Sequence, residues 1–479
     1  YRDKSLDVTG GYFYEQFGNG LLLRTWEDRQ LGINSALHGL RVKFSPTDFI
    51  DLTGVYGQQR AGFELSEGVI QGGEITVIGD CGYSPDLSEA IVDRAMFHCD
   101  NAYYYPAAKV AGHRCKTHTV SNTAYRGFGG PQGLMTAEYM MDQIAYTLGK
   151  DPLEVRLNNL YQDGQTTHYG QPIEHFDLAT LMDNLAKDCD YDKRRQQIMA
   201  ANEKAQAEGS DKRLGIALTP VKFGISFTVQ HLNQAGALVH IYTDGTIQIN
   251  HGGTEMGQGL YIKIAQIVAN EFEVDLDTVK VTATRTDKVP NTSPTAASSG
   301  TDINGKAAQN ACLTVKGRLV EFAAEHFAVP SDSIKFENNH VQIGDKETLT
   351  FAELVLLAYQ HRISLSATGY YKTPKIFYDR SKAWGRPFFY FALGASCAEV
   401  EIDTMTGEYK VLRCDILHDV GQSINPAIDI GQIEGGFVQG MGWLTTEELT
   451  WDDKGTLASN SPANYKIPTS HDLPKQWSV

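Results

Sequence analysis

The stretch NTAYRGFGGPQG, residues 122–133, sets Arg126 and Phe128 among Gly127, Gly129 and Gly130, just ahead of Pro131. Glycines this dense let a backbone turn tightly and come close to another group. Pro131 suits a first helical turn, where its missing N–H costs nothing. Arg126 and Phe128 therefore sit at a helix N-terminus, a place that attracts anions and oxyanions. On local spacing alone, an ordinary glycine turn before a helix is the simpler reading. A second glycine loop, HGGTEMGQG at 251–259, also leads into a helix and suggests phosphate or pyrophosphate binding. It lacks the Gly-Lys-Ser/Thr of a P-loop, which argues against an ATPase, and Rossmann spacing is absent. Glu255 within it is an inviting general base. In KFGISFTV, residues 222–229, Phe223 and Phe227 are four apart, yet Gly224 and the β-branched residues favour a strand or bend. By themselves both rings read as core.

These motifs occur together with others in a fixed order. DRAMFH (93–98), the Arg126 loop, KFGISFTV, HGGTEMGQG, VPNTSPTAAS (289–298) and INPAIDIGQIEG (424–435) follow one another along the chain. From about residue 73 onward the sequence resembles the molybdenum-cofactor domain of xanthine dehydrogenases and their relatives, the molybdenum hydroxylases. The resemblance implies an α+β fold in which two elongated, mixed domains share a cleft. It implies boundaries at 74–233 and 234–479. It also implies a molybdenum–molybdopterin cofactor whose dithiolene holds the metal, so no side chain is a metal ligand and the protein supplies hydrogen bonds and orientation.

Residue roles follow from the same resemblance. Arg126 and Gly127 would hold the cofactor-side loop. Gly257 and Gln258 would cradle the pterin, with the Gln258 amide near the metal's oxo ligand. Ser298 would bind the pterin, and Gln432 the cofactor phosphate. Phe128 and Phe227 would sandwich a flat heteroaromatic substrate. Thr228 and Leu232 would line the same pocket, and Ala296 and Ala297 would let the substrate approach the metal. Arg94 would contact a purine and stabilise charge developing on its ring. At Gly300 relatives often carry a serine, so one cofactor contact is absent. The implied reaction is oxidative hydroxylation of hypoxanthine and xanthine to urate with oxygen from water. Electrons would leave through FAD and [2Fe-2S] clusters on other domains or subunits, in a dimer of larger assemblies. Glu255 is set aside as base, because the family's glutamate lies in a Gly-Glu-Pro segment beyond the match to residues 465–468. The 479 residues stop before it, so the polypeptide is expected to be inactive or nearly so. Two rival readings are an aldehyde oxidase or other N-heterocycle hydroxylase, which Arg94 argues against, and a non-catalytic scaffold.

The elements that must carry these loops are legible around them. Leu134, Ala137, Met141, Ile144, Ala145 and Leu148 recur at helical spacing after Pro131, with Gly149 as the stop. Asp151, Pro152 and Glu154 then supply a cap, a first-turn proline and a capping-box acid. Helices are also expected over 86–95, 177–187, 192–208, from 259 to 270, over 303–325 and from 424 to 441. Strands are expected at 74–79 and 279–283, with hairpins across Asp244-Gly245 and Thr406-Gly407. Residues 1–73 do not fit the family. Strand-like runs at 20–26, 40–44 and 52–56, with turns at Asn19-Gly20 and Pro46-Thr47-Asp48, look more like hairpins of an outer-membrane barrel.

A net charge of −16 argues against a nucleic-acid partner. No apolar run is long enough for a membrane helix. The seven cysteines form no C-x-x-C pair, which argues against a zinc ribbon or an iron–sulfur cluster on this chain and suits reduced thiols in the cytoplasm.

Overall fold

The structure, a computed structural model, describes residues 6–13, 27–28, 33–34, 37–47, 50–61, 64–289 and 292–479. The expected strand at 20–26 and the Asn19-Gly20 turn lie outside the described residues. The runs at 40–44 and 52–56 fall within longer strands. Leu40 and Val42 alternate with Arg41 and Lys43, the period of a strand with one apolar face.

The first sheet holds β1 (Leu6–Phe13), β2 (Leu37–Thr47), β3 (Ile50–Ala61), β4 (Glu64–Asp80) and β5 (Ala108–Cys115) in that spatial order. β4 runs unbroken past residue 73, pairing Tyr56 with Gln71 and Ile50 with Val77 on β3. The family-like part and the segment before it therefore share one sheet. β4 and β5 are parallel, which requires a crossover. Helix α1 (Ser88–His98) provides it. α1 starts two residues later than the expected 86, because Asp86 takes a positive φ of 40° that no helix accepts.

Four more helices follow. α2 (Gly130–Leu148) carries Pro131 in its first turn and ends at Gly149, φ 64°. Ala137, Met141 and Ala145 are buried as the spacing requires, whereas Leu148 is exposed at the helix end. α2 crosses α1 closely at Gly133, where a Cβ would lie 2.4 Å from the Ala95 carbonyl oxygen. α3 (Pro152–Asn159) is capped by the Asp151 side chain, which accepts from the Leu153 amide. Glu154 makes an ion pair with Lys150. α4 (Leu178–Asp188) and α5 (Tyr191–Ala207) cover the second sheet.

That sheet binds the two halves of the chain together. β6 (Lys212–Ile225) pairs along its whole length with β11 (Tyr390–Asp403), from Ile225–Tyr390 to Lys212–Asp403. β12 (Tyr409–His418) and β13 (Gln476–Ser478) complete it. The third sheet belongs to the C-terminal half. Its order is β9 (Val279–Val281), β8 (Ile247–His251), β7 (Gln234–Ile241) and β10 (Ser366–Lys372). Helices α6 (Leu260–Phe272) and α7 (Gly300–Phe327) cover it, burying Val239, Ile249, Ile264, Val268, Ala311 and Val315 in one core. A small three-stranded sheet over residues 334–350 and α8 (Phe351–Gln360), begun by a Thr350–Glu353 capping box, close that half. α9 (Pro426–Thr445) lies apart from both cores, with only Met441 and Gly442 buried. Among the described residues no helix is long and apolar enough to cross a membrane.

Candidate functional site

The Arg126 loop is shaped by close approach. Gly127 and Gly129 take φ of 95° and 99°, and Phe128 between them takes 55°. A Cβ at Gly129 would lie 2.1 Å from the Ile91 carbonyl oxygen on α1, so only glycine lets the loop rest there. Turns from Phe128 N to the Tyr125 carbonyl (2.8 Å) and from Gly130 N to the Gly127 carbonyl (3.0 Å) fix its course into α2.

This course aims Arg126 at α9. Its guanidinium donates to the Gln432 carbonyl and side-chain oxygens, both at 3.3 Å, and to Gln439 Oε1 at 3.4 Å. The Tyr125 hydroxyl donates to the Gln439 carbonyl at 2.8 Å. Gln432 in turn donates to the Gly257 carbonyl at 3.4 Å. Two loops and helix α9, distant in sequence, thus meet. A cleft of about 540 Å³ opens beside Arg126, lined by Arg126, Gly127, Ser298, Gln432, Gln439 and Trp443 among others. Ala297 and Ser298, on the loop that brings Ser298 there, take positive φ of 61° and 56°. Such backbone costs on the order of 1–3 kcal/mol per residue and clusters at functional sites.

The Gly257 loop holds a departure from the anion-binding expectation. Glu255 folds back so that Oε1 accepts from the amides of Gly257 (2.8 Å) and Gly259 (3.0 Å), and Oε2 from Tyr261 (3.0 Å). The chain's own carboxylate occupies the N-terminus of α6, where a phosphate was expected. Partial burial raises the Glu255 carboxyl, but these amides outweigh it and hold it below the usual range. It is acceptor-only and spent, unsuited to general base work. Gln258 likewise bonds its own loop, accepting from Met256 N at 2.6 Å and donating to the Thr254 carbonyl at 2.8 Å. Gly257, at φ 97°, has open space where a Cβ would stand.

Phe128 and Phe227 sit together, ring centroids 5.6 Å apart and tilted by 51°. Two rings that close are in mutual contact, so they must part before a flat ligand enters between them. Phe227 is buried, and the hydroxyl of Thr228 is buried with no partner. Leu232 closes the short turn Gln230–Leu232 beyond them. Ala296 accepts from Ser299 N and Oγ, which bends the loop ahead of Ser298. At Gly300 an added Cβ would meet nothing closer than 3.5 Å, so a serine would fit there.

Arg94 is 1% exposed and lies beside this pocket. Its Nη1 donates to the Gly224 carbonyl at 2.9 Å, and Nη2 donates to the Ser226 carbonyl. Its guanidinium rests 5.1 Å from both the Phe223 and Phe388 rings. Nε has no partner. Burial lowers the Arg94 pKa to about 10, so it stays charged at neutral pH. His98, one helical turn on, went unnoticed in the sequence. Its Nδ1 meets the Arg94 carbonyl at 2.8 Å, and its Nε2 accepts from Gly224 N at 2.9 Å. Arg94 and His98 thus fasten one face of α1 to the strand end that carries Phe227. The four-residue spacing within DRAMFH was the available signal.

Two buried histidines give a pH dependence. Burial, then the Arg94 and Lys222 charges, lower His98 to about 3. Burial lowers His251 to about 4, against the pull of Glu255. A folded pKa below the unfolded 6.5 means that both contributions are complete above about pH 6.5 and are lost progressively as pH falls towards 4 and 3. Between pH 7 and 5.5 the pair should cost about 2.5 kcal/mol of stability by urea unfolding. A flat profile over that range would show that both rings protonate in place.

Among the described residues one buried group, Cys189, Cys397 and Asp415, has ligand atoms within 4.8 Å of one another. Both Asp415 oxygens are already taken by Arg194 and Arg413. All seven cysteines are free thiols.

Residues 184–474 match a family described as molybdopterin cofactor-binding domain, and residues 54–160 match a second family of that description. The chain belongs to the molybdopterin cofactor-binding domain family. Residues 1–79 match a separate family of unknown function, overlapping the second match. This molybdopterin-binding chain is 44% identical over 420 residues to the xanthine dehydrogenase/oxidase of Mus musculus, covering 88% of the chain and 30% of that protein. It is 43% identical over 423 residues to the xanthine dehydrogenase of Dictyostelium discoideum, covering 88% and 29%. The chain thus spans under a third of the length of these relatives. In fold it matches quinoline 2-oxidoreductase of Pseudomonas putida 86 with a TM-score of 0.76 at 24% identity, over 95% of the chain and 57% of that one. It also matches the aldehyde oxidoreductase of Desulfovibrio gigas with a TM-score of 0.69 at 23% identity, over 95% and 45%.

The cleft suits such a cofactor. Its polar lining is the Arg126 guanidinium, the Gln432 and Gln439 amides, the Tyr125 and Ser298 hydroxyls, the His418 imidazole, the Trp443 indole and the Asp429 carboxylate, with, among the described residues, no thiol. All but the carboxylate, which is paired with Lys263, can donate to an oxygen- and nitrogen-rich organic group that brings its own metal ligands. The space beside Gly257 leaves backbone accessible there.

Proposed function

We propose that the chain is the molybdenum-cofactor part of a molybdenum hydroxylase acting on purines, converting hypoxanthine and xanthine to urate. The cofactor, when bound, supplies oxidation with oxygen drawn from water. Arg126, Gln432, Ser298 and the Gly257 loop hold it, and Gln258 orients it. Phe128 and Phe227 clasp the flat substrate, Thr228 offers its unpartnered hydroxyl, Leu232 bounds the pocket, and Ala296 and Ala297 leave room for close approach. Arg94 places a positive charge beside the ring. The observation that carries this reading is the juxtaposition itself: an aromatic pair 5.6 Å apart on the loops that flank a donor-lined cleft. FAD and [2Fe-2S] groups on other domains or subunits take the electrons, within a dimeric assembly in the cytoplasm.

One observation favours a second reading. Both Nη groups of Arg94 are committed to main-chain carbonyls, which leaves less for a purine and suits an uncharged substrate such as an aldehyde or another N-heterocycle. Equilibrium dialysis of the cofactor-loaded chain against xanthine and against benzaldehyde separates them. Xanthine should bind the more tightly, and Phe227→Ala should weaken it about fivefold, the worth of one stacked ring. Binding of xanthine no better than of benzaldehyde would sink the purine reading.

A further inference from the structure

The loop from Ser226 to Val229 presents Phe227 and Thr228, yet it belongs to no helix or strand and leads only into the single turn Gln230–Leu232. Such a loop has backbone groups that need partners if the ring is to stay at one angle. One side chain supplies them. Asn233 is 3% exposed, and its Oδ1 accepts from Phe227 N at 2.6 Å. Its Nδ2 donates to the carbonyls of Phe227 (2.8 Å), Gln230 (3.1 Å) and Val229 (3.4 Å). The orientation of the amide is forced, since an N–H faces one end and three carbonyls face the other. The main chain of Asn233 is itself anchored, its carbonyl accepting from Thr373 N at 3.0 Å. Gln230 Nε2 adds a bond from the loop to the Ile376 carbonyl at 2.8 Å. At the front of the loop, Ser226 Oγ accepts from Phe389 N at 3.1 Å.

We infer that Asn233 is the positioning residue of the substrate pocket, its amide locking the 226–230 loop so that Phe227 and Thr228 meet a heteroaromatic ligand at a fixed angle. This rests on the pocket reading given above. Asn233 does not touch the ligand; it acts through the backbone on either side of the ring. A loop held this way loses little freedom when a ligand arrives, which favours affinity. No other amino acid offers one acceptor and two donors in so short a planar group. Aspartate keeps the acceptor for Phe227 N but turns a second oxygen towards three carbonyls. Only when protonated does it regain one donor.

Asn233→Asp is the test, in the full chain loaded with cofactor. At pH 8 it should weaken xanthine binding about tenfold relative to the native chain, the effect of losing a buried hydrogen bond. It should also speed hydrogen exchange of the 226–230 amides without spreading beyond that loop. At pH 5.5, measured against the native chain at the same pH, both defects should shrink as the carboxyl takes up a proton. A purely structural role would not give that recovery. Unchanged binding at pH 8, or a defect that does not lessen at pH 5.5, overturns the inference. Native-state exchange serves if the variant does not fold: the Phe227 amide should exchange as slowly as the ladder amides of β6, and fast exchange overturns the clasp. Phe227→Ala in the same dialysis separates the two levels. If that variant binds xanthine normally, the pocket reading falls first. If it binds weakly while Asn233→Asp does not, only the inference falls.

Discussion

Arg94→Met should lower the stability of the chain by about 3 kcal/mol and remove purine binding with it. The size follows from what the side chain does. Arg94 is fully buried and donates to the Gly224 and Ser226 carbonyls, and each buried carbonyl left without a donor costs about 1–3 kcal/mol. Contacts of the guanidinium with the Phe223 and Phe388 rings are lost as well. Methionine fills much of the space, which moderates the cavity cost. Urea unfolding and dialysis against xanthine should be read side by side. Lost binding with intact stability would make Arg94 a ligand residue and no more. Lost stability with intact binding would make it scaffold alone. Both lost is the expected result, because Arg94 fastens α1 to the strand end that leads to Phe227, and the proposed purine contact depends on that position.

Glu255→Gln and Asp429→Asn should each leave xanthine turnover by the cofactor-loaded protein far short of the roughly 100- to 10,000-fold loss that removal of a general base brings. The surroundings of Glu255 and Asp429 suit neither to that role. Glu255 is held ionised by three amides of its own loop. Asp429 is paired with Lys263 and accepts from Ser423 at 2.5 Å, and although partial burial raises its carboxyl, those partners hold it below the ordinary range. A base must be free to take a proton near neutral pH, and neither is. Steady-state kinetics of the two variants check this, and a loss of about 100-fold or more in either would show that its carboxylate fills the role.

Some of this was open to reading before any coordinates. Glycine loops, first-turn prolines and caps act within a few residues, so α2, α3, α6 and the two Gly-containing hairpins lie close to where the sequence places them. The order of the motifs was enough to place the chain in its family. Local signals also misled where a longer-range partner competes. Glu154 has the spacing of a capping box, but Lys150 takes its carboxylate. The HGGTEMGQG loop has the form of an anion site, but Glu255 reaches its amides first, being tethered only two residues away from Gly257.

Other features had no signature at all. Nothing in residues 212–225 announces that their partner strand lies at 390–403, because strand pairing depends on which apolar faces the rest of the fold leaves uncovered. The clasp of Asn233 on Phe227 and the burial of His98 belong to the same class. By itself, then, the sequence determined the family, most helices and the glycine loops that precede α2 and α6, since those depend on short-range backbone chemistry. Only the tertiary structure decided that Gln432 links Arg126 to the Gly257 carbonyl, and that Arg94 spends its donors on Gly224 and Ser226. A side chain's partners are fixed by packing across hundreds of residues, and a one-dimensional pattern does not record which groups burial brings within reach.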